Sequence, residues 1–160
     1  MQVELDTVLG GRPDDLKLLP CTTQTFQEAM RLYPAAPIIP RRIEGWAELG
    51  RYALTGPACV MTSVYNIHRH PEFWPDPLRF DPERFSPARS TERHRLAYVP
   101  FGAASRMCIG NNLAMMEGVL PAAVGQKYSL ELPGTAPMVP RIAVTLQPVG
   151  GIPMRLVPRR

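Results

Sequence analysis

Nineteen prolines in 160 residues constrain this chain more than any other feature. A proline fixes its own φ and donates no backbone hydrogen bond, so it interrupts helices and is poorly tolerated inside sheets. Short helices and small strands joined by long irregular connections are the architecture this allows. With 45% hydrophobic and 20% charged residues, the chain is still ordinary globular material and long enough for one domain with a core. The expected class is mainly α with small antiparallel β-sheets, an α+β arrangement rich in loops.

Local patterns place the elements. Val3, Leu5 and Val8 recur at roughly helical spacing between Gln2 and Leu9, and Gly10, Gly11 and Pro13 end the pattern. After Pro20, Thr22 or Thr23 can cap a second helix that carries Phe26, Met30 and Tyr33 on one face and stops at Pro34. Tyr52-Ala53-Leu54, the turn Thr55-Gly56-Pro57 and the β-prone run Ala58 to Tyr65 read as a hairpin, with Cys59 packed in its second strand. Asn111 to Glu117 holds good helix formers, with Leu113, Met116 and Leu120 on one face, until Pro121 kinks or ends the helix. Lys127 to Leu132, Val144 to Leu146 and Met154 to Val157 read as terminal strands.

Several function classes fall away. Cys21, Cys59 and Cys108 are odd in number and widely spaced, which fits neither a disulfide framework nor a Cys-x-x-Cys zinc site and points to a reducing, cytoplasmic setting. No apolar run approaches the ~20 residues needed to cross a bilayer, and the first residues do not read as a signal peptide. The net charge of +4 is spread over scattered arginines without interleaved aromatics, which argues against nucleic-acid binding. His68 and His70 lie in a proline-rich irregular stretch, where hydrogen-bonded or exposed histidines are the expectation, and neither is assigned to a metal.

Three separated stretches carry chemistry. In Phe101 to Gly110, Cys108 sits just before or within the first turn of the helix that follows, with Arg106 nearby. Unpaired N–H groups and the positive end of the helix dipole favour a thiolate there, and a thiolate can ligate iron. For an isolated cysteine, a buried structural role would be the better reading. Glu28 and Arg31, three apart on the second helix, would by themselves be an exposed pair worth ~0–1 kcal/mol. Pro82-Glu83-Arg84-Phe85 is the third stretch.

Together these resemble the cytochrome P450 family. Phe101, Arg106, Cys108 and Gly110 match its heme-binding loop, Phe-x-x-Gly-x-Arg-x-Cys-x-Gly, with Ala104 where the family has glycine. Glu28 to Arg31 followed by Leu32-Tyr33-Pro34 match its Glu-x-x-Arg motif, and Pro82 to Phe85 match its Pro-Glu-Arg-Phe segment in the same order. Glycine at position 104 would permit a positive φ or a close approach to the porphyrin, so the added methyl bears on loop geometry and heme affinity. Thr55-Gly56-Pro57 replaces the family's usual Pro-x-Gly turn.

The resemblance implies the C-terminal, heme-ligand-bearing part of a cytochrome P450 domain over residues 1–160, with the oxygen-activating helix upstream of it. It implies heme b as cofactor, held by Phe101, Arg106, Cys108, Gly110 and Arg41, with Cys108 as the axial iron ligand and no other catalytic residue in this part of the domain. Arg106, Arg41 and then Arg69 are the order of candidates for the heme propionates. Glu28, Arg31 and Arg84 are expected to form a structural cluster in which one carboxylate serves two arginines. The activity implied is oxygen-dependent hydroxylation of a small organic substrate, with a ferredoxin or flavoprotein reductase as electron donor. A stand-alone heme-binding or peroxidase-like module and a non-catalytic remnant are the alternatives.

Overall fold

The computed structural model describes residue 4 and residues 18–119, 121–134 and 138–159. The helix expected between Gln2 and Leu9 lies outside the described residues, apart from Glu4. Helix α1 (Pro20–Leu32) opens on its proline, where a missing N–H costs nothing, and its N-cap position is Leu19. Neither threonine caps it with its side chain. Instead the Glu4 carboxylate accepts from the amides of Cys21 (2.8 Å) and Thr22 (3.0 Å) and from the Thr22 hydroxyl (2.8 Å). An anion from a distant segment thus satisfies the free amides of the first turn, a partner that helix periodicity cannot reveal.

The face that α1 buries is also not the expected one. Phe26 and Met30 are half-buried and Tyr33 is exposed, whereas Thr22, Glu28, Arg31 and Leu32 are buried. A polar face goes inward because Arg31 and Glu28 neutralise each other there.

Among the described residues, four two-stranded antiparallel sheets follow the proline-limited plan. Strands β1 (Ile38–Ile43), β2 (Trp46–Leu49), β3 (Tyr52–Thr55) and β4 (Ala58–Ser63) do not form the hairpin expected across Thr55-Gly56-Pro57. β3 pairs back with β2 across a turn holding Gly50 at φ +59°, and β4 pairs with β1, Ile38 opposite Ser63 and Ile43 opposite Ala58. Gly56 is the crossing point: its amide donates to Gly45 O at 2.7 Å, and a Cβ there would lie 2.6 Å from backbone atoms of Ile43 and Glu44. Cys59 is exposed, not packed, because it sits on the open face of β4.

After β4, the single turn α2 (Val64–Ile67) leads into an irregular stretch that contains a 3₁₀ turn at Pro82–Phe85 and the short helix α3 (Pro87–Ser90). Helix α4 (Asn111–Val119) follows the Cys108 loop, and α5 (Pro121–Lys127) begins on the proline expected to break it. Strands β5 (Tyr128–Glu131) and β8 (Arg155–Pro158) pair, as do β6 (Pro140–Ile142) and β7 (Leu146–Pro148). The sequence pattern predicts no strand over β1, β2 or β6, each of which starts or continues through prolines or polar turns, and the strand expected over Val144 to Leu146 begins only at Leu146.

Among the described residues the buried apolar side chains are Leu19, Leu32, Val64, Trp74, Ala97 and Val119, with Pro34 and Pro37 also fully buried. Around Trp74 they merge with aromatic rings, Phe85 at 5.9 Å and Tyr98 at 6.3 Å between centroids, and with the buried polar groups of α1.

Candidate functional site

The buried charge cluster lies where α1 meets the Pro82–Phe85 turn. Arg31 grips Glu28 with two donors, Nε to Oε2 at 2.7 Å and Nη2 to Oε1 at 2.9 Å, and both side chains are fully buried. The remaining Arg31 donors reach His68 O (2.7 Å), Pro77 O (2.8 Å) and Arg79 O (3.2 Å), while the Asp81 amide donates to Glu28 Oε1 at 2.9 Å. One ion pair thereby fixes four points of the irregular stretch. Arg84 is also buried, but its Nε stands 3.6 Å from Glu28 Oε1, beyond hydrogen-bond distance, and its other donors go to Pro75 O (2.6 Å) and Asp76 O (2.8 Å). The carboxylate is therefore shared with Arg84 electrostatically rather than by a hydrogen bond, since the Oε1 that Arg84 faces already accepts from both Arg31 and the Asp81 amide.

The Cys108 loop is pinned at both ends. The Cys108 amide donates to Phe101 O at 2.8 Å, closing the loop on itself, and the Gly102 amide donates to Val99 O at 3.1 Å. Gly102 has φ +76°, and a Cβ there would touch Ile39 Cδ1 of β1 at 3.7 Å. Ala104 opens a 3₁₀ turn to Arg106 with φ +56°, the left-handed region that glycine occupies without steric cost. Cys108 stands three residues before α4, and its exposed thiol lies beside Gly110, where a Cβ would be 3.8 Å from Sγ.

Beside Cys108 in the loop Met107 and Ile109 are exposed, Ile109 completely, and on α4 so are Leu113 and Met116. Leu113 and Met116 therefore do not face the core, and Leu120 lies outside the described residues. Phe101 is half-buried, while Arg106 is exposed and makes no ion pair or hydrogen bond among the described residues. Arg41, exposed on β1, shares a cleft of about 240 Å³ with Ile39, Thr62, Gly102 and Ala103. Its Nη1 donates only to the carbonyl of Pro40, at 2.9 Å. Arg69 is engaged elsewhere, over the Tyr65 ring at 3.5 Å and donating to Tyr65 O at 3.2 Å and to Leu32 O, which sets it apart from the two freer arginines. An exposed sulfur donor, exposed apolar side chains in the same loop and in α4, and two guanidiniums without an ion-pair partner among the described residues suit a flat apolar cofactor with acidic edges.

Sequence reasoning missed the tethering of residues 97–99. Trp74 Nε1 donates to Ala97 O at 3.3 Å, Tyr98 Oη donates to Gln27 O at 3.0 Å, and the Val99 amide donates to His68 Nε2 at 2.9 Å. Burial pushes the Tyr98 phenol pKa up, keeping it a donor. Burial, with Arg31 and Arg69 nearby, lowers His68 to about 4, so the ring is neutral at pH 7. The density of aromatic residues from His68 to Tyr98 was the available signal. His70 is exposed, and among the described residues no cluster of His, Cys, Asp and Glu could hold a metal ion.

The family model described as Cytochrome P450 matches residues 1–152. Cyclooctatin synthase of Streptomyces melanosporofaciens is 38% identical over 159 residues, spanning 96% of this chain and 35% of that protein. Cytochrome P450 714A2 of Arabidopsis thaliana is 36% identical over 158 residues, 96% of this chain and 30% of that protein. Among solved structures, the cytochrome P450DA heme domain superposes with a TM-score of 0.90 at 26% identity, over 99% of this chain and 36% of that one. The chain thus spans about a third of the length of the relatives it matches.

Proposed function

The chain belongs to the cytochrome P450 family, and on that footing we propose that residues 1–160 form the C-terminal, heme-ligand-bearing part of a heme-thiolate monooxygenase domain. The observation that carries this reading is the Cys108 loop: one exposed thiol just ahead of a helix, held by the Cys108–Phe101 backbone bond and bordered by exposed apolar side chains.

In this proposal Cys108 would hold the heme iron through its thiolate, with the positive end of α4 favouring the ionised sulfur. Arg106 and Arg41 would pair with the carboxylates of heme b, and Phe101 and Gly110 would shape the loop around the sulfur. When bound, the heme iron supplies oxygen activation for hydroxylating a small organic substrate, using electrons from a ferredoxin or flavoprotein reductase. The protein's own part is to hold the sulfur in the loop that the Cys108–Phe101 backbone bond closes. Glu28, Arg31 and Arg84 act at a distance, by fixing the stretch from His68 to Asp81 on which the loop rests.

The test is spectroscopic. The reduced protein with heme and carbon monoxide is expected to show the red-shifted Soret band of a thiolate trans to the gas. Cys108→Ser is expected to abolish that band while Cys21→Ser and Cys59→Ser leave it unchanged. A band that survives in Cys108→Ser would sink the assignment.

A further inference from the structure

We propose that His68 is a positioning residue for the Cys108 loop, acting as the neutral acceptor that holds the Val99 amide and with it the segment that delivers Phe101 and Gly102. This rests on the reading of Cys108 as the heme ligand.

The geometry is specific to that segment. Ala97, Tyr98 and Val99 are each tied by one hydrogen bond to a different part of the fold: Trp74, α1 through Gln27, and His68. Of these three, the His68 bond is nearest in sequence to the loop. The Val99 carbonyl in turn accepts from Gly102, and Phe101 O accepts from Cys108. A chain of backbone contacts therefore runs from the imidazole to the cysteine.

His68 is itself held firmly. It is fully buried, its ring stacks on Tyr98 at 5.1 Å and meets Trp74 edge-on at 6.5 Å, and its carbonyl accepts from Arg31 at 2.7 Å. Through that carbonyl the Glu28–Arg31 pair fixes the residue whose ring fixes Val99. The pair and the loop are thereby coupled through one side chain.

The acceptor role requires a neutral ring. Since Nε2 accepts, the proton sits on Nδ1, which makes no hydrogen bond of its own. A second proton would turn Nε2 into a donor facing the Val99 N–H. It would also place a charge near Arg31 and Arg69. The backbone of Arg31 and Met30, beside the ring, favours the protonated form but does not prevail, and the Tyr98 and Trp74 rings packed on it carry no charge. Burial and those two arginines hold the ring unprotonated down to about pH 4.

The test compares His68→Phe, which keeps ring volume but cannot accept, with His68→Gln, whose carbonyl can accept at similar reach. Amide hydrogen exchange is read by mass spectrometry on the full chain, and this readout needs no heme. In His68→Phe, exchange across Val99 to Cys108 is expected to accelerate about tenfold while α1 stays at the wild-type rate. In His68→Gln it is expected to return to within about twofold of wild type. The red-shifted carbon monoxide band should follow the same order.

Equal acceleration in α1, wild-type exchange in His68→Phe, or a His68→Gln loop as loose as that of His68→Phe would each overturn the proposal. If His68→Phe does not fold, His68→Gln alone decides: a protected loop supports the role and an unprotected one refutes it. Cys108→Ser tests the heme reading separately, since it removes the band without touching the Val99 bond.

Discussion

Two side chains carry most of the energetic consequence, for opposite reasons. Ala104 holds φ +56° in the loop where the family has glycine. An L-residue in that region carries a steric cost of ~1–2 kcal/mol, part of which a glycine would return as chain entropy in the unfolded state. Ala104→Gly is expected to stabilise the protein by about 0.5–1 kcal/mol and to tighten heme binding, checked by thermal unfolding and heme titration. A lower melting temperature would mean that the backbone is not strained there. Glu28 is the reverse case, a buried charge matched by Arg31 with Arg84 close by. Glu28→Ala leaves two guanidiniums buried without a counter-ion, and about 3–5 kcal/mol of stability should be lost in chemical denaturation. A loss under about 1 kcal/mol would show that the pair behaves as an exposed one.

Between elements, α1 comes up close against α4, where Gly118 faces Phe26. A Cβ on Gly118 would lie 2.1 Å from Phe26 Cε1 and Cζ, so the ring occupies the space that the missing side chain leaves. Gly118→Ala should therefore destabilise by about 1–3 kcal/mol, although alanine is the better helix former. Pairing it with Phe26→Leu should recover much of that loss, and the double-mutant cycle in urea measures the coupling. Gly118 carries no signal in the sequence, because its role depends on a partner 92 positions away. The same reason separates what could be read from what could not. Proline and glycine marked where α1, α4, β3 and β4 begin or end, since those limits are local. The pairing of β3 with β2 and of β4 with β1 depends on the contact between Gly56 and Glu44, which no local pattern encodes. In the candidate site, the spacing of Cys108, Glu28, Arg31 and Arg84 was visible as motifs. Glu4 at the head of α1 and His68 under Val99 were not, because each acts through a backbone amide of another segment.

At the scale of the molecule, the described residues enclose a small core rich in polar groups, and the face around Cys108 stays apolar and open. No described helix is long and apolar enough to cross a membrane. A small core makes stability sensitive to any buried group that changes charge, and His68 is such a group, its pKa lowered by burial from the ordinary 6.5 to about 4. Between those two values the unfolded chain binds a proton that the folded chain does not, so acid favours unfolding. The His68 contribution is complete above about pH 6.5 and declines as pH falls toward 4, by an amount on the order of 3 kcal/mol. Acid also protonates carboxylates, so the wild-type curve alone would not isolate it. The difference in unfolding free energy between wild type and His68→Gln, measured by denaturant titration across this range, removes the shared terms. That difference is expected to be flat above about pH 7 and to shift in favour of His68→Gln as pH drops to 4. A difference that stays constant across the range would mean that His68 is protonated equally in the folded and unfolded chain, and that its ring does not depend on the neutral form to hold Val99.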